Sequence, residues 1–193
     1  MNITSIQRPI TDSLEVKKSI LGDESLLLKV LDLAEECLAS LKEGKKIIFC
    51  GNGGSFADAQ HLSAEFTSRF MFDRKSLPSL ALGTNASAMS AIANDYGYEF
   101  VFSREVESVA EVGDVIVVFS TSGNSPNILR AVEAGKEKGI KIWGMTGESG
   151  GELSRTGIIC INIPSNDTAR IQEMHIMLGH VVCELVEADY FGR

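Results

Sequence analysis

Five short runs rich in β-branched and aromatic residues, at 46–50, 79–82, 114–119, 140–145 and 158–163, alternate with stretches long enough to form helices. Helices are expected over 56–70, 86–93, 100–110 and 126–138, and a long one closes the chain over 167–189. Strands separated by helices run parallel, because the chain must cross back before each new strand begins. The third run, Val115-Ile116-Val117-Val118-Phe119, is apolar without interruption, as a strand covered on both faces must be. The expected fold is therefore α/β: a five-stranded parallel sheet between two helical layers, a three-layer α/β/α sandwich.

A helical segment precedes the sheet. Over 11–42, with a break near Gly22, Leu27, Val30, Leu31, Ala34, Leu38 and Leu41 recur at spacings of three and four. Such a stripe packs a core or a bundle of subunits. With 193 residues and about 150 per domain as the prior, one domain is expected over 1–193, its 1–45 segment packing on the core and on neighbouring subunits. The balance of 18 basic and 26 acidic side chains gives a net charge of −8, which argues against nucleic acid as a partner. No apolar run reaches the roughly 20 residues of a membrane span. The first nine residues lack a charged region leading into an apolar stretch, so no signal peptide is expected. Cys37, Cys50, Cys160 and Cys183 sit in apolar segments without a C-x-x-C pair, which reads as reduced, buried thiols of a cytoplasmic protein.

Two strand-to-helix turns look like anion sites. The first strand runs into Gly51-Asn52-Gly53-Gly54-Ser55, where glycines permit a sharp turn and close ligand approach. Ser55 is expected to cap the following helix, with Asp58 completing a capping-box pattern. The third strand runs into Ser120-Thr121-Ser122-Gly123-Asn124-Ser125-Pro126, with Ser125 in the capping position and Pro126 in the first turn. Hydroxyls and unpaired N–H groups at a helix N-terminus suit a phosphate. Either turn alone is also what a plain tight connection looks like. Two at the carboxyl ends of strands in one parallel sheet carry more weight, because ligands bind there. Neither matches a Walker loop or G-x-G-x-x-G, so nucleotide and nicotinamide cofactors are not expected.

Chemistry-bearing residues cluster on two helices. His61 and Glu65 stand one turn apart on one face, a spacing that suits a shared divalent metal or an ordinary surface pair. On the last helix, a wheel at 100° per residue sets Gln172 and His180 on the polar side and His175 beside the apolar stripe. His175 is thus the packing histidine. Gln172 and His180 stand about 12 Å apart along an ideal axis. Meeting at one metal requires long reach, a distortion near Gly179, or ligands from different chains, and the sequence does not choose among these. Apolar residues cover more of this helix than one sheet face accounts for, which points to burial against another subunit.

Gly51-Asn52-Gly53-Gly54-Ser55 with Asp58-Ala59-Gln60-His61 and Glu65, Ser120-Thr121-Ser122-Gly123-Asn124-Ser125, and Ala169-Arg170-Ile171-Gln172-Glu173-Met174-His175 resemble the sugar-isomerase (SIS) domain family over essentially the whole chain, and within it the phosphoheptose isomerases. The resemblance implies a flavodoxin-like fold and a homotetramer. It implies interconversion of sedoheptulose 7-phosphate and D-glycero-D-manno-heptose 7-phosphate, the first step toward ADP-heptose for lipopolysaccharide or related glycans. By the same resemblance, one zinc ion per subunit is held at positions matching His61, Glu65, Gln172 and His180. Substrate contacts match Asn52, Gly53, Gly54, Asn94, Asp95, Ser120, Thr121, Ser122 and Ser125. Ser55, Glu65, Arg69 and Gln172 are further candidates, Arg69 and Arg170 as local positive charge or as surface ion pairs. Glu65 is read as the base acting between C1 and C2 and His180 as its acid/base partner. The alternatives are a non-catalytic SIS-domain regulator that binds the replication initiator, expected to lack this acid/base set, and an isomerase of another sugar phosphate.

Overall fold

Asn2 starts the first helix. Its Oδ1 accepts the Ser5 N–H at 3.0 Å, and α1 (Ile3–Leu21) follows in the computed structural model, which describes residues 2–193. The helix thus begins well before the expected position 11 and carries Pro9 inside it. Proline costs one backbone hydrogen bond to Ser5, but Ser5 and Pro9 are both exposed, which leaves the loss on the solvent side of the helix. The break at Gly22 stands where the sequence sets it, and Asp23 caps α2 (Glu24–Lys42) by accepting the Leu26 N–H at 3.1 Å.

Five strands, β1 (Ile47–Cys50), β2 (Ser79–Ala81), β3 (Val115–Ser120), β4 (Lys141–Thr146) and β5 (Ile159–Asn162), form one sheet in the order β2-β1-β3-β4-β5, and every neighbouring pair is parallel. Successive side chains alternate between faces. Ile47, Phe49, Val117, Phe119, Trp143 and Met145 enter one core with α2, α3 (Gly54–Thr67) and α7 (Thr168–Phe191). Ile48, Cys50, Ile116, Val118 and Ile142 enter the other, with α5 (Val101–Val109) and α6 (Pro126–Glu137). This is the expected three-layer sandwich. Between β2 and α5 lies α4 (Ala86–Asp95), which has no buried residue. All four cysteines are free and buried, and no helix among the described residues is long and apolar enough to cross a membrane.

The apolar stripe of α2 divides. Val30, Ala34 and Leu41 are in the core, while Leu27 and Leu31 are exposed and, with Ile20, Leu21, Met177, Val181 and Leu185, line an apolar groove of about 330 Å³. Leu26, Leu33 and Cys37 complete the core side of α2, and Val30 borders both the core and the groove.

Helices α3 and α7 lie side by side and run the same way: Gly54 meets Gln172, Leu62 meets Gly179, and His61 meets His180. Gly179 permits this approach. A Cβ there would stand 2.5 Å from a methyl of Leu62, which is itself buried.

Candidate active site

Strands β1 and β3 are neighbours although β2 comes between them in sequence, and the chain leaves them toward opposite edges of the sheet. A crevice opens beyond the carboxyl ends of such a strand pair. Both candidate turns stand there. After β1, Gly53 takes φ 57°, a left-handed conformation that costs glycine little, and α3 starts at once with Gly54. Ser55 is therefore not the cap; it lies inside the first turn, buried, with its backbone against Gly51. Asp58 closes no capping box. Its Oδ2 is buried without a hydrogen-bond partner, and burial, opposed by nearby His61, pushes its pKa up to about 6.

Asn52 braces the two turns to each other. Its amide donates to Asn127 Oδ1 at 2.9 Å, and the Asn127 amide donates back at 2.8 Å. The Tyr98 hydroxyl also donates to Asn52 Oδ1, at 3.2 Å. After β3, Ser125 occupies the N-cap position and Pro126 the first helical position, as expected. The Ser125 hydroxyl does not cap; it stands 3.1 Å from Ser120 Oγ. Thr121 is half-buried and Ser122 exposed, the latter accepting the Asn124 N–H at 3.1 Å. The positive end of α6 therefore keeps N–H groups uncapped by a side chain amid four hydroxyls, an anion-binding arrangement.

Along the α3–α7 seam, His61 Nε2 stands 3.0 Å from Glu65 Oε1 and 3.1 Å from His180 Nε2. One ligand atom from each of the three lies within 4.8 Å of the other two. The Phe70 ring stacks on His180, centroids 5.4 Å apart. Burial, reinforced by His61 and opposed by Glu65, lowers the pKa of His180 below the ordinary histidine value. A neutral imidazole beside a carboxylate is a proton-transfer pair, and the same three groups are placed to hold one divalent cation.

Residues 16–147 match the SIS domain model. The chain belongs to the SIS-domain family. Similarity to individual members runs past the matched region on both sides. The phosphoheptose isomerase of Burkholderia pseudomallei is 48% identical over 99% of this chain and 97% of its own length, and that of Aneurinibacillus thermoaerophilus 50% identical over 96% and 94%. The solved phosphoheptose isomerase of Neisseria gonorrhoeae superposes with a TM-score of 0.89 at 38% identity, covering 96% of this chain and 98% of its own. That of Francisella tularensis gives 0.91 at 31% identity, with 97% and 99% covered.

The fold brings some of the sequence-expected residues together and leaves others apart. Glu65, His61 and His180 converge. Gln172 does not join them in the same chain: its amide lies against Gly54, two turns or about 10 Å up α3 from His61. Asn94 and Asp95 are exposed at the end of α4, where Asn94 donates to Asp95 at 2.8 Å. Arg69 is exposed just past α3. Arg170 is instead a tie between helices, donating to the Pro9 carbonyl at 2.6 Å and pairing with Glu173. His175 is the packing histidine, fully buried, with Nε2 3.3 Å from the Thr146 carbonyl. Sequence reasoning missed Asn127 and Tyr98. An asparagine in the first turn of α6 was the only local signal for the first, since asparagine is a weak helix former better suited to turns. Nothing local marks the second.

Proposed function

We propose that this SIS domain is an aldose–ketose isomerase that interconverts D-sedoheptulose 7-phosphate and D-glycero-D-manno-heptose 7-phosphate through an enediol, a first step toward ADP-heptose for lipopolysaccharide or related glycans. The observation that carries the reading is the meeting of Glu65 and His180 through His61 on one helix seam. A regulator without chemistry has no use for that set.

The substrate phosphate binds at Ser120, Thr121, Ser122 and Ser125 on the N-terminus of α6. Asn52, Gly53, Gly54, Ser55, Asn94, Asp95, Arg69 and Gln172 contact the rest of the sugar phosphate. Isomerisation moves a proton between C1 and C2, so one group must take it from carbon and another must serve the oxygens. Glu65 removes and returns the carbon-bound proton. His180, neutral because its pKa is lowered, exchanges protons with the hydroxyl and carbonyl oxygens. Holding the phosphate at one end fixes the reacting carbons at the other.

Zinc is the metal that the donor set favours. In a tetrahedral site with ligand bonds near 2.0–2.1 Å, neighbouring ligand atoms stand about 3.3 Å apart, and the separations from His61 Nε2 are 3.0 and 3.1 Å. His61, Glu65 and His180 would hold the ion from one chain, with Gln172 assigned to the site of a neighbouring copy because in its own chain it lies beside Gly54, about 10 Å along α3 from His61. When bound, the ion supplies Lewis-acid polarisation of the substrate carbonyl.

We take the assembly to be a homotetramer and the whole chain to be one domain. Exposed Ile3, Ile6, Ile10 and Leu14 form a stripe on α1, and the apolar groove beside α2 and α7 offers such a stripe a place to bury. A cytoplasmic setting suits four free thiols.

The deciding experiment is turnover of sedoheptulose 7-phosphate together with metal analysis and sedimentation. Isomerisation by a zinc-loaded tetramer is expected. A zinc-loaded protein that leaves this substrate unchanged would overturn the reading. Mixing inactive Glu65→Gln and Gln172→Ala subunits should restore activity if Gln172 serves a neighbour's site, and no recovery would reject that assignment.

A further inference from the structure

Behind the seam stands a buried ion pair for which the reaction as described has no use. Arg74 and Glu187, with side chains 3% and 1% exposed, meet at 2.7 Å between the Arg74 Nε and Glu187 Oε1. Neither is spent on the other alone. The Arg74 guanidinium donates to the carbonyls of Glu65 at 2.7 Å, Phe66 at 2.7 Å, Ser68 at 3.0 Å and Lys75 at 3.1 Å. These include the carbonyls that the end of α3 leaves without helical partners. Glu187, from α7, accepts the N–H groups of Phe70 at 2.8 Å and Met71 at 2.6 Å.

Each contact lands one step from the acid/base pair. Arg74 grips the main chain of Glu65, the residue whose carboxylate faces His61. Glu187 grips the main chain of Phe70, the residue whose ring lies on the imidazole of His180 with an interplanar angle of 25°. A planar guanidinium with five donors in a fixed fork is suited to hold several acceptors at set angles, which a lysine ammonium is not. A fully paired polar network in a dry interior is also stiff.

We propose that Arg74 and Glu187 are positioning residues, a single clamp that fixes the backbone of Glu65 and, through Phe70, the ring of His180, so that carboxylate and imidazole keep their spacing during proton transfer. The proposal rests on the reading of Glu65 and His180 as the acid/base pair. It assigns the clamp to the chemical step and not to substrate binding, because none of its contacts reaches the serine-rich turn.

The test uses the intact assembled protein and reads kcat and KM for sedoheptulose 7-phosphate, with thermal unfolding alongside. Arg74→Lys and Phe70→Leu should each lower kcat by about 10- to 100-fold, as misplacement of reacting groups does, with KM within about twofold. Phe70→Tyr keeps an aromatic ring on His180 and should retain the wild-type kcat. Glu187→Gln turns an amide N–H₂ toward groups that are all donors and should behave like Arg74→Lys. Where either charge variant fails to fold, the Phe70 pair decides. Wild-type kcat in folded Arg74→Lys and Phe70→Leu, with only the melting temperature lowered, would reduce the clamp to a structural pair and overturn the proposal. Equal loss in Phe70→Tyr and Phe70→Leu would overturn the ring contact. Glu65→Gln and His180→Gln serve as controls: if they are inactive while the clamp variants are fully active, the clamp alone falls. If they retain turnover, the acid/base reading falls and the clamp with it.

Discussion

His175 and His180 stand five residues apart on α7, and the two faces of that helix put them to opposite uses. On the sheet face, His175 is fully buried, its ring 5.7 Å from that of Phe119 and its Nε2 at the Thr146 carbonyl. Burial, only partly opposed by that carbonyl, pushes its pKa down to about 4. On the α3 face, His180 is partly exposed and meets His61, with Glu65 close by. One imidazole is absorbed by packing and the other is left open to a ligand. The partner element makes the difference, since the sheet offers His175 a carbonyl from β4 and an aromatic ring from β3, whereas α3 offers His180 another imidazole and a carboxylate.

The sharpest way to break this contrast is to remove the open-face groups. Glu65→Gln and His180→Gln should each cut kcat by about 10²- to 10⁴-fold, the usual cost of losing a general acid or base, while circular dichroism stays native. Near wild-type turnover in either folded variant would erase the distinction.

The buried face should respond to pH through stability. His175 has a folded-state pKa below its unfolded value of 6.5. The fold therefore favours the neutral form, and the stabilisation is complete above pH 6.5 and is lost as pH falls toward 4. A shift of this size corresponds to about 3 kcal/mol by pH 4. Unfolding free energies measured between pH 7 and pH 4 should fall more steeply in the wild type than in His175→Gln; parallel curves would show that His175 does not carry this dependence.

The seam itself depends on Gly179. Gly179→Ala sets a methyl against buried Leu62 and should cost about 1–3 kcal/mol by overpacking, while the double variant with Leu62→Ala should recover part of the loss in kcat that accompanies it. A fully neutral Gly179→Ala would mean the two helices separate freely.

The smallest effect belongs away from α7. Ser122→Leu, on an exposed turn, should raise KM for the phosphate ester about tenfold and leave the melting temperature within about 2 °C, as surface changes do. A kcat loss with unchanged KM would move the phosphate to another part of the site.

Much of this was legible along the chain because it is set by local pattern. The strands fell within two residues of their expected ends, since continuous apolar runs and the segments between them record burial on both faces. His61 and Glu65 share a face because helical spacing alone puts them there, and the wheel was sufficient to send His175 inward. The misses have local causes that local reading weighed wrongly. The first helix was expected from 11, but Asn2 caps it and it starts at Ile3, with Pro9 tolerated on an exposed stretch inside it. Ser55 looked like a cap, but Gly53 in a left-handed conformation starts α3 two residues sooner.

The sequence by itself determined the parallel sheet, the two turns at its carboxyl edge, and the residue types needed for proton transfer on two separate helices. Only the tertiary structure decided which of these residues meet. It paired His61 with His180 and set Gln172 beside Gly54, because α3 and α7 pack in parallel with one fixed offset. It also showed that Arg74 and Glu187 close the seam from behind and that Asn127 braces one turn to the other. Helical and strand periods follow from bonds between near neighbours, which any window of sequence contains. The register between helices more than a hundred residues apart follows from packing, from a Gly179 that admits Leu62 and from buried donors that must find acceptors, and no local window holds both sides of such a contact.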